Sequence, residues 1–207
     1  LVARRGLAPP ADRTPEDWPW PLRLRTLGRF EIARDGAALE VRGKAQKKPL
    51  ELLKALIAHG AKRVDAPMLT SLLWPDAEGD VAKTSFDSTL YRLRKLVDVE
   101  GAIALSEGKL SLDPANVWVD ALALEALLDA EPVRVERALA LARGDFLADE
   151  AALPWAVRTR DRLKSRLIRA VLAEAELREA RGDYAGARPL YEAALEPLGY
   201  RVMLEPA

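Results

Sequence analysis

The chain contains no cysteine, which removes disulfides, thiolate metal sites and cysteine nucleophiles together. Histidine is almost absent as well. His59 stands alone, so imidazole metal clusters and serine–histidine relays have no basis, and only carboxylate chemistry remains for an enzyme. No cofactor or metal is expected. Long apolar runs are missing too: no stretch approaches the roughly 18 residues that cross a bilayer, so no membrane contact is expected. The first residues show no basic–apolar–small leader, which predicts no secretion signal and, with the missing cysteines, a reducing cytoplasmic setting. The chain opens on Leu1 instead of Met, as expected of a fragment or processed form. Neither sign of charge is in excess, with 32 basic and 32 acidic residues.

What is present is enough for folded domains. The 207 residues are 49% apolar and 31% charged, which supports one large domain or two ordinary ones and excludes a mainly disordered chain. The balanced charge is unevenly spread: residues 22–119 carry a net +3 and residues 120–207 a net −3. This mild asymmetry favours nucleic acid as a partner of the middle segment.

Residues 1–21 hold five prolines and read as an extended linker, whose Trp18-Pro19-Trp20-Pro21 end is expected to pin onto the next domain. From Leu22 the apolar period is two. Strands are expected around Leu22 to Thr26, at Phe30 and Ile32, and, after an Asp35-Gly36 turn, at Leu39 and Val41. The period then becomes helical. A first helix carries Leu50, Leu53, Leu56 and Ile57 up to Gly60, and a second covers about 66–74 before Pro75. A third runs over about 80–97 with Asp80 as cap and Phe86, Leu90, Leu93 and Val97 on its apolar side. Two alternating runs around Glu107-Gly108 form a hairpin. Strands, three helices and a hairpin make an α+β winged helix-turn-helix over 22–119. The remainder, 120–207, reads as all-α, with helices at about 120–129, 133–143, 155–181 and 184–196.

The third helix carries most of the functional signal. At about 100° per residue, Thr84, Ser88, Tyr91 and Lys95 lie opposite its apolar stripe, with Ser85 and Arg92 beside them. Short hydroxyls near the start and cations near the end suit a helix in a DNA major groove, where short side chains reach base edges and long cations reach phosphates. The same pattern also fits an ordinary solvated face, because cations near a helix C-terminus complement its dipole. Lys109 sits beside the hairpin turn, where Glu107 opposes phosphate contact. Lys44, Lys47 and Lys48 crowd the start of the first helix, where positive charge opposes the dipole unless an anion such as phosphate compensates. A solvated lysine loop is the alternative there. The stretch ending Lys83-Thr84 lacks the glycine and the preceding strand of a phosphate-binding loop, and the carboxylate pairs at Asp149-Glu150 and Glu174/Glu176 have no cleft signature. The chain is therefore read as no enzyme. Gly182-Asp183-Tyr184 followed by Ala187, Tyr191 and Ala194 matches half of a tetratricopeptide repeat, although Arg178 stands where an aromatic would belong.

The motif order carries a resemblance. Leu27-Gly28-Arg29-Phe30-Glu31-Ile32, Lys47-Lys48-Pro49-Leu50-Glu51-Leu52-Leu53, Leu72-Leu73-Trp74-Pro75 and Ser88-Thr89-Leu90-Tyr91-Arg92-Leu93-Arg94-Lys95-Leu96 together resemble the winged helix of OmpR-type bacterial transcription regulators. Val117-Trp118-Val119-Asp120 and the helices after it look like the tetratricopeptide-like bacterial transcriptional activator domain. The linker and the lysine-rich segment look most like the C-terminal part of large MalT-like ATP-dependent regulators. The resemblance implies a sequence-specific DNA-binding module of an activator, with double-stranded DNA as partner. It also implies a helical domain that self-associates into a homo-oligomer or contacts RNA polymerase. A protein-interaction scaffold whose winged helix does not bind DNA is the competing expectation.

Overall fold

The computed structural model describes residues 15–40, 43, 46–150 and 153–195. Alternation of buried leucines with half-exposed arginines makes β1 (Leu22–Arg25). It pairs antiparallel with β2 (Glu31–Arg34), which turns at Asp35-Gly36 into β3 (Ala37–Ala38). Both turn residues have positive φ, 48° and 85°, the geometry whose twist matches a two-residue hairpin. So tight a turn sets the register itself, placing Ala37 opposite Arg34 and Ala38 opposite Ala33. The third strand therefore falls earlier than the expected Leu39 and Val41. Leu39 continues the pairing with one bond to Ile32, and Val41 lies outside the described residues.

Three helices follow: α1 (Lys47–Ala58), α2 (Ala66–Leu73) and α3 (Gly79–Val97). The N-cap of α3 is Glu78, not Asp80; Asp80 sits in the first turn, where a carboxylate still favours the helix dipole. A second sheet, order β4-β6-β5, consists of β4 (Val64–Asp65), β5 (Ile103–Ser106) and β6 (Lys109–Leu112). The β5–β6 hairpin is the wing. Its turn residues Glu107 and Gly108 again have positive φ.

The junction at 117–119, expected only as a connection, is a strand, β7 (Val117–Val119). It lies parallel to β1, with Leu22 opposite Val117 and Leu24 opposite Val119, and completes the order β3-β2-β1-β7. All three of its residues are buried, as expected of a strand covered on both faces, and this hides the alternation that would betray it. The helical half comprises α4 (Asp120–Leu128), α5 (Val135–Leu141), a 3-10 turn (Ala148–Glu150), α6 (Pro154–Ala180) and α7 (Tyr184–Leu195). The fold is thus a winged helix followed by an all-α region.

The two halves share one apolar core that runs from Trp20 to Leu163. Consequently α1 is buried beyond its expected stripe, at Leu52, Lys54 and Ala55 as well, because α6 covers its second side and Thr159 donates to the Ala58 carbonyl at 2.8 Å. The segment after Gly144 adds itself along the end of β1: Gly28 N–H bonds the Asp145 carbonyl, and the N–H groups of Leu147 and Ala148 bond the carbonyls of Thr26 and Gly28. The backbones come so close that a Cβ on Gly144 would lie 3.1 Å from the Gly28 Cα, and both glycines have positive φ. Lys54, only 6% exposed, reaches across to Glu150 and lies 4.4 Å from the Phe30 ring centroid. At the other end, Trp20 is buried in the core with Trp18 packed beside it, and its indole donates to the Pro15 carbonyl, so the segment's end from Pro15 onward is pinned to the domain. A smaller core joins α5, α6 and α7 through Val135, Val171, Ala175, Leu190 and Ala194. Arg178 bridges the same three helices, pairing with Glu174 and Glu136 and donating to the Gly186 carbonyl.

Candidate nucleic-acid interface

The geometry of α3 follows from its sequence. Ala82, Phe86, Thr89, Leu90, Leu93 and Val97 are buried in the winged-helix half, and this fixes which side faces out. Thr84, Ser88, Tyr91, Arg92 and Lys95 are all exposed, and Ser85 is half-buried at the edge of the stripe. The structure therefore brings these six side chains onto one outward face. Tyr91, at 67% exposure, is among the most exposed large side chains described. Val81 shares that prominence at 66%. It lies one turn before Thr84, and sequence reading passed over it because an exposed valine breaks no apolar pattern.

Two arginines hold this helix in place. Arg94 donates from Nε to the Ile103 carbonyl at 3.1 Å, tying α3 to the wing. Arg34 on β2 pairs with Asp98 at 3.0 Å and reaches the Val97 carbonyl at 3.5 Å, fixing the C-terminal end of α3. Neither partner could be inferred from spacing, since the contacts of Arg34 span more than sixty residues.

The wing carries more positive charge than its hairpin residues suggest. Glu107 pairs with Arg63 at 3.0 Å, and the Arg63 backbone N–H donates to Ser111 Oγ. Lys62 and Arg63 are exposed on the loop before β4. The dibasic pair after Gly60-Ala61 was the available signal for them. Lys109 is half-buried and lies 3.4 Å from Asp65, so its charge is partly spent.

Of the lysines at the start of α1, Lys48 has its partners within the protein. The Lys48 ammonium donates to the Leu73 carbonyl at the end of α2, pairs with Glu51 at 2.9 Å, and lies 5.6 Å from the Trp74 ring centroid. A carbonyl at the C-terminal, negative end of α2 thus offsets the Lys48 charge that stands against the α1 dipole. Lys47 is exposed, and Lys44 lies outside the described residues. His59 bonds the Ala55 carbonyl through Nδ1 at the end of α1, a role within the helix.

Among the described residues no three of His, Asp and Glu cluster as metal ligands, and no helix is long and apolar enough to cross a membrane. A cleft of about 780 Å³ opens between β1–β2 and the 3-10 turn, but its charged walls are largely mutual: Arg25 with Glu16 and Glu31, and Lys54 with Glu150. A smaller one, about 390 Å³, lies beside Gly144 with Arg160 at its wall. The Arg160 guanidinium is occupied by the carbonyls of Phe146 and Leu147.

No family model matches the sequence, and no curated protein matches it. Among solved structures, the chain is similar to Mycobacterium tuberculosis EmbR, determined in complex with a low-affinity phosphopeptide. The TM-score is 0.64 at 22% sequence identity, over 87% of this chain and 52% of that one. The chain therefore spans about half the length of EmbR, and what the likeness carries is the fold: a winged helix followed by a helical domain.

Proposed function

We propose that this chain is the DNA-binding part of a bacterial transcription regulator, with α3 in the major groove and the wing beside it on the phosphate backbone. The observation that carries this reading is the outward stripe of α3. Its hydroxyls stand at the N-terminal end and its cations Arg92 and Lys95 at the C-terminal end, with Lys62 exposed at the wing beside Arg63, which pairs with Glu107. That order of groups supports base reading by the short hydroxyls and phosphate anchoring by the cations, as a helix in the groove requires. The OmpR-type motifs and the likeness to EmbR support the same reading, and so does the MalT-like character of the linker for the wider architecture. The helical region, on this reading, serves self-association or contact with RNA polymerase in activation, and the setting is the bacterial cytoplasm. The activity is binding, not catalysis.

The test is a salt titration of binding to specific and random duplexes. Lys95→Ala weakens binding to all sequences alike and lowers the salt slope by about one unit. Ser88→Ala leaves the slope intact and relaxes sequence preference by about 1–3 kcal/mol at one base position. A chain with no salt-sensitive DNA affinity would mean the winged helix serves protein contacts instead.

A further inference from the structure

Val81 gives the α3 stripe a chemical character that its hydroxyls and cations do not. At about 100° per residue it stands within roughly 20° of Ser88 around the helix axis, in the middle of the outward face and one turn ahead of Thr84. It is 66% exposed, whereas Leu90, Leu93 and Val97 on the inner stripe of α3 are buried. A β-branched side chain left mostly in water on a first helical turn gains little from packing and is a mediocre helix former. Thr84, exposed beside it, adds one more methyl. The first two turns of the stripe therefore present three methyl groups, whereas its last two turns present Arg92 and Lys95.

From this we infer that Val81, with the Thr84 methyl, is a specificity-determining residue that selects thymine. The inference rests on the proposed groove-binding role of α3. In the major groove the 5-methyl of thymine is the one apolar group on a base edge, and the other edge positions are hydrogen-bond donors and acceptors. An aliphatic side chain at the base-reading end of the helix has no other complementary partner there. The cations at the opposite end of the stripe fix which partner covers it, because they match a phosphate backbone and not an apolar protein surface.

The experiment uses the whole 207-residue chain and the tightest duplex recovered from a randomised pool. Each thymine in that duplex is replaced in turn by uracil, which keeps every hydrogen-bonding group and removes only the methyl. Wild type loses about fourfold in affinity at one or two positions, the equivalent of leaving one methyl unburied at ~0.8 kcal/mol. Val81→Ala binds thymine and uracil duplexes equally at one of those positions while keeping its salt slope. Equal binding of all uracil duplexes by wild type, with sequence preference and salt dependence intact, overturns the thymine contact and leaves the DNA-binding reading standing. Recovery of no preferred duplex, or binding without salt dependence, overturns both. Val81→Ala with an unchanged unfolding midpoint secures the comparison, since the side chain makes no core contact.

Discussion

Asp120 is 2% exposed and accepts hydrogen bonds from four donors: the N–H groups of Thr26, Leu27 and Ala121, and the Thr26 hydroxyl, all at 2.7–2.9 Å. A carboxyl at the start of α4 thereby closes the end of β1, ninety-four residues away for Thr26. Burial pushes its pKa above the usual carboxylate range, and the hydrogen bonds only partly pull it back. Asp120→Asn puts an NH2 group against donors and is expected to cost about 2–3 kcal/mol, read as a lower urea midpoint. The pH dependence follows from the raised value. Between the ordinary carboxylate pKa of about 3.9 and the folded one, the folded state holds a proton that the unfolded chain has released. The wild-type advantage over Asp120→Asn is therefore largest below about pH 4 and narrows as pH rises through that window. Residues of this kind are the least legible in sequence. Asp120 stands at the expected start of a helix, and Lys48 in a cluster that fits either a phosphate site or a solvated loop; in the structure each bonds backbone groups on another element. The outward residues of α3 were legible because a helix's periodicity alone decides which side chains face away.

Elements whose order is set by local rules follow the sequence closely. The Asp35-Gly36 and Glu107-Gly108 turns form where the dipeptides require, and α3 ends at Val97 with Asp98 in the left-handed conformation. Elements made by long-range pairing do not announce themselves. β7 has no alternation, and the bridge between Leu27 and Phe146 joins two segments that each read as loop. The glycines at that bridge are where element packing is least forgiving. Gly144→Ala adds a Cβ against the Gly28 backbone and also strains a positive φ, so a loss of about 2–3 kcal/mol is expected. Gly182→Ala, where a Cβ meets nothing within 4 Å, bears only the conformational cost, about 1 kcal/mol. Thermal unfolding of the two variants side by side checks the difference.

At the scale of the molecule, the division at 119/120 separates two kinds of secondary structure but crosses one core. β7 leads directly into α4, Lys54 and Glu150 pair across the division, and Thr159 bonds the end of α1. Sequence reading recognised both halves and missed their fusion, because the contacts that join them are separated by about a hundred residues. Residues 15–195 are accordingly expected to unfold in a single calorimetric transition, with calorimetric and van't Hoff enthalpies equal. Two resolved transitions would show that the shared core is too small to couple the halves.

The 27 residues of α6 span about 40 Å. Its first turns are gripped by α1 and the common core through Ala156, Thr159 and Leu163. Its far turns, roughly 25 Å beyond Leu163, carry α7 and the smaller core. Mechanically this is a lever held at one end by the common core and carrying α7 at the other, with α5 bracing it between the two. A swing of about 10° about Leu163 displaces the tip by about 4 Å, taken over the roughly 25 Å of helix beyond it. A load applied at α7 therefore has two routes out of α6: through Arg178 and the smaller core into α5, and through Thr159 into α1, the helix that shares a core with α3.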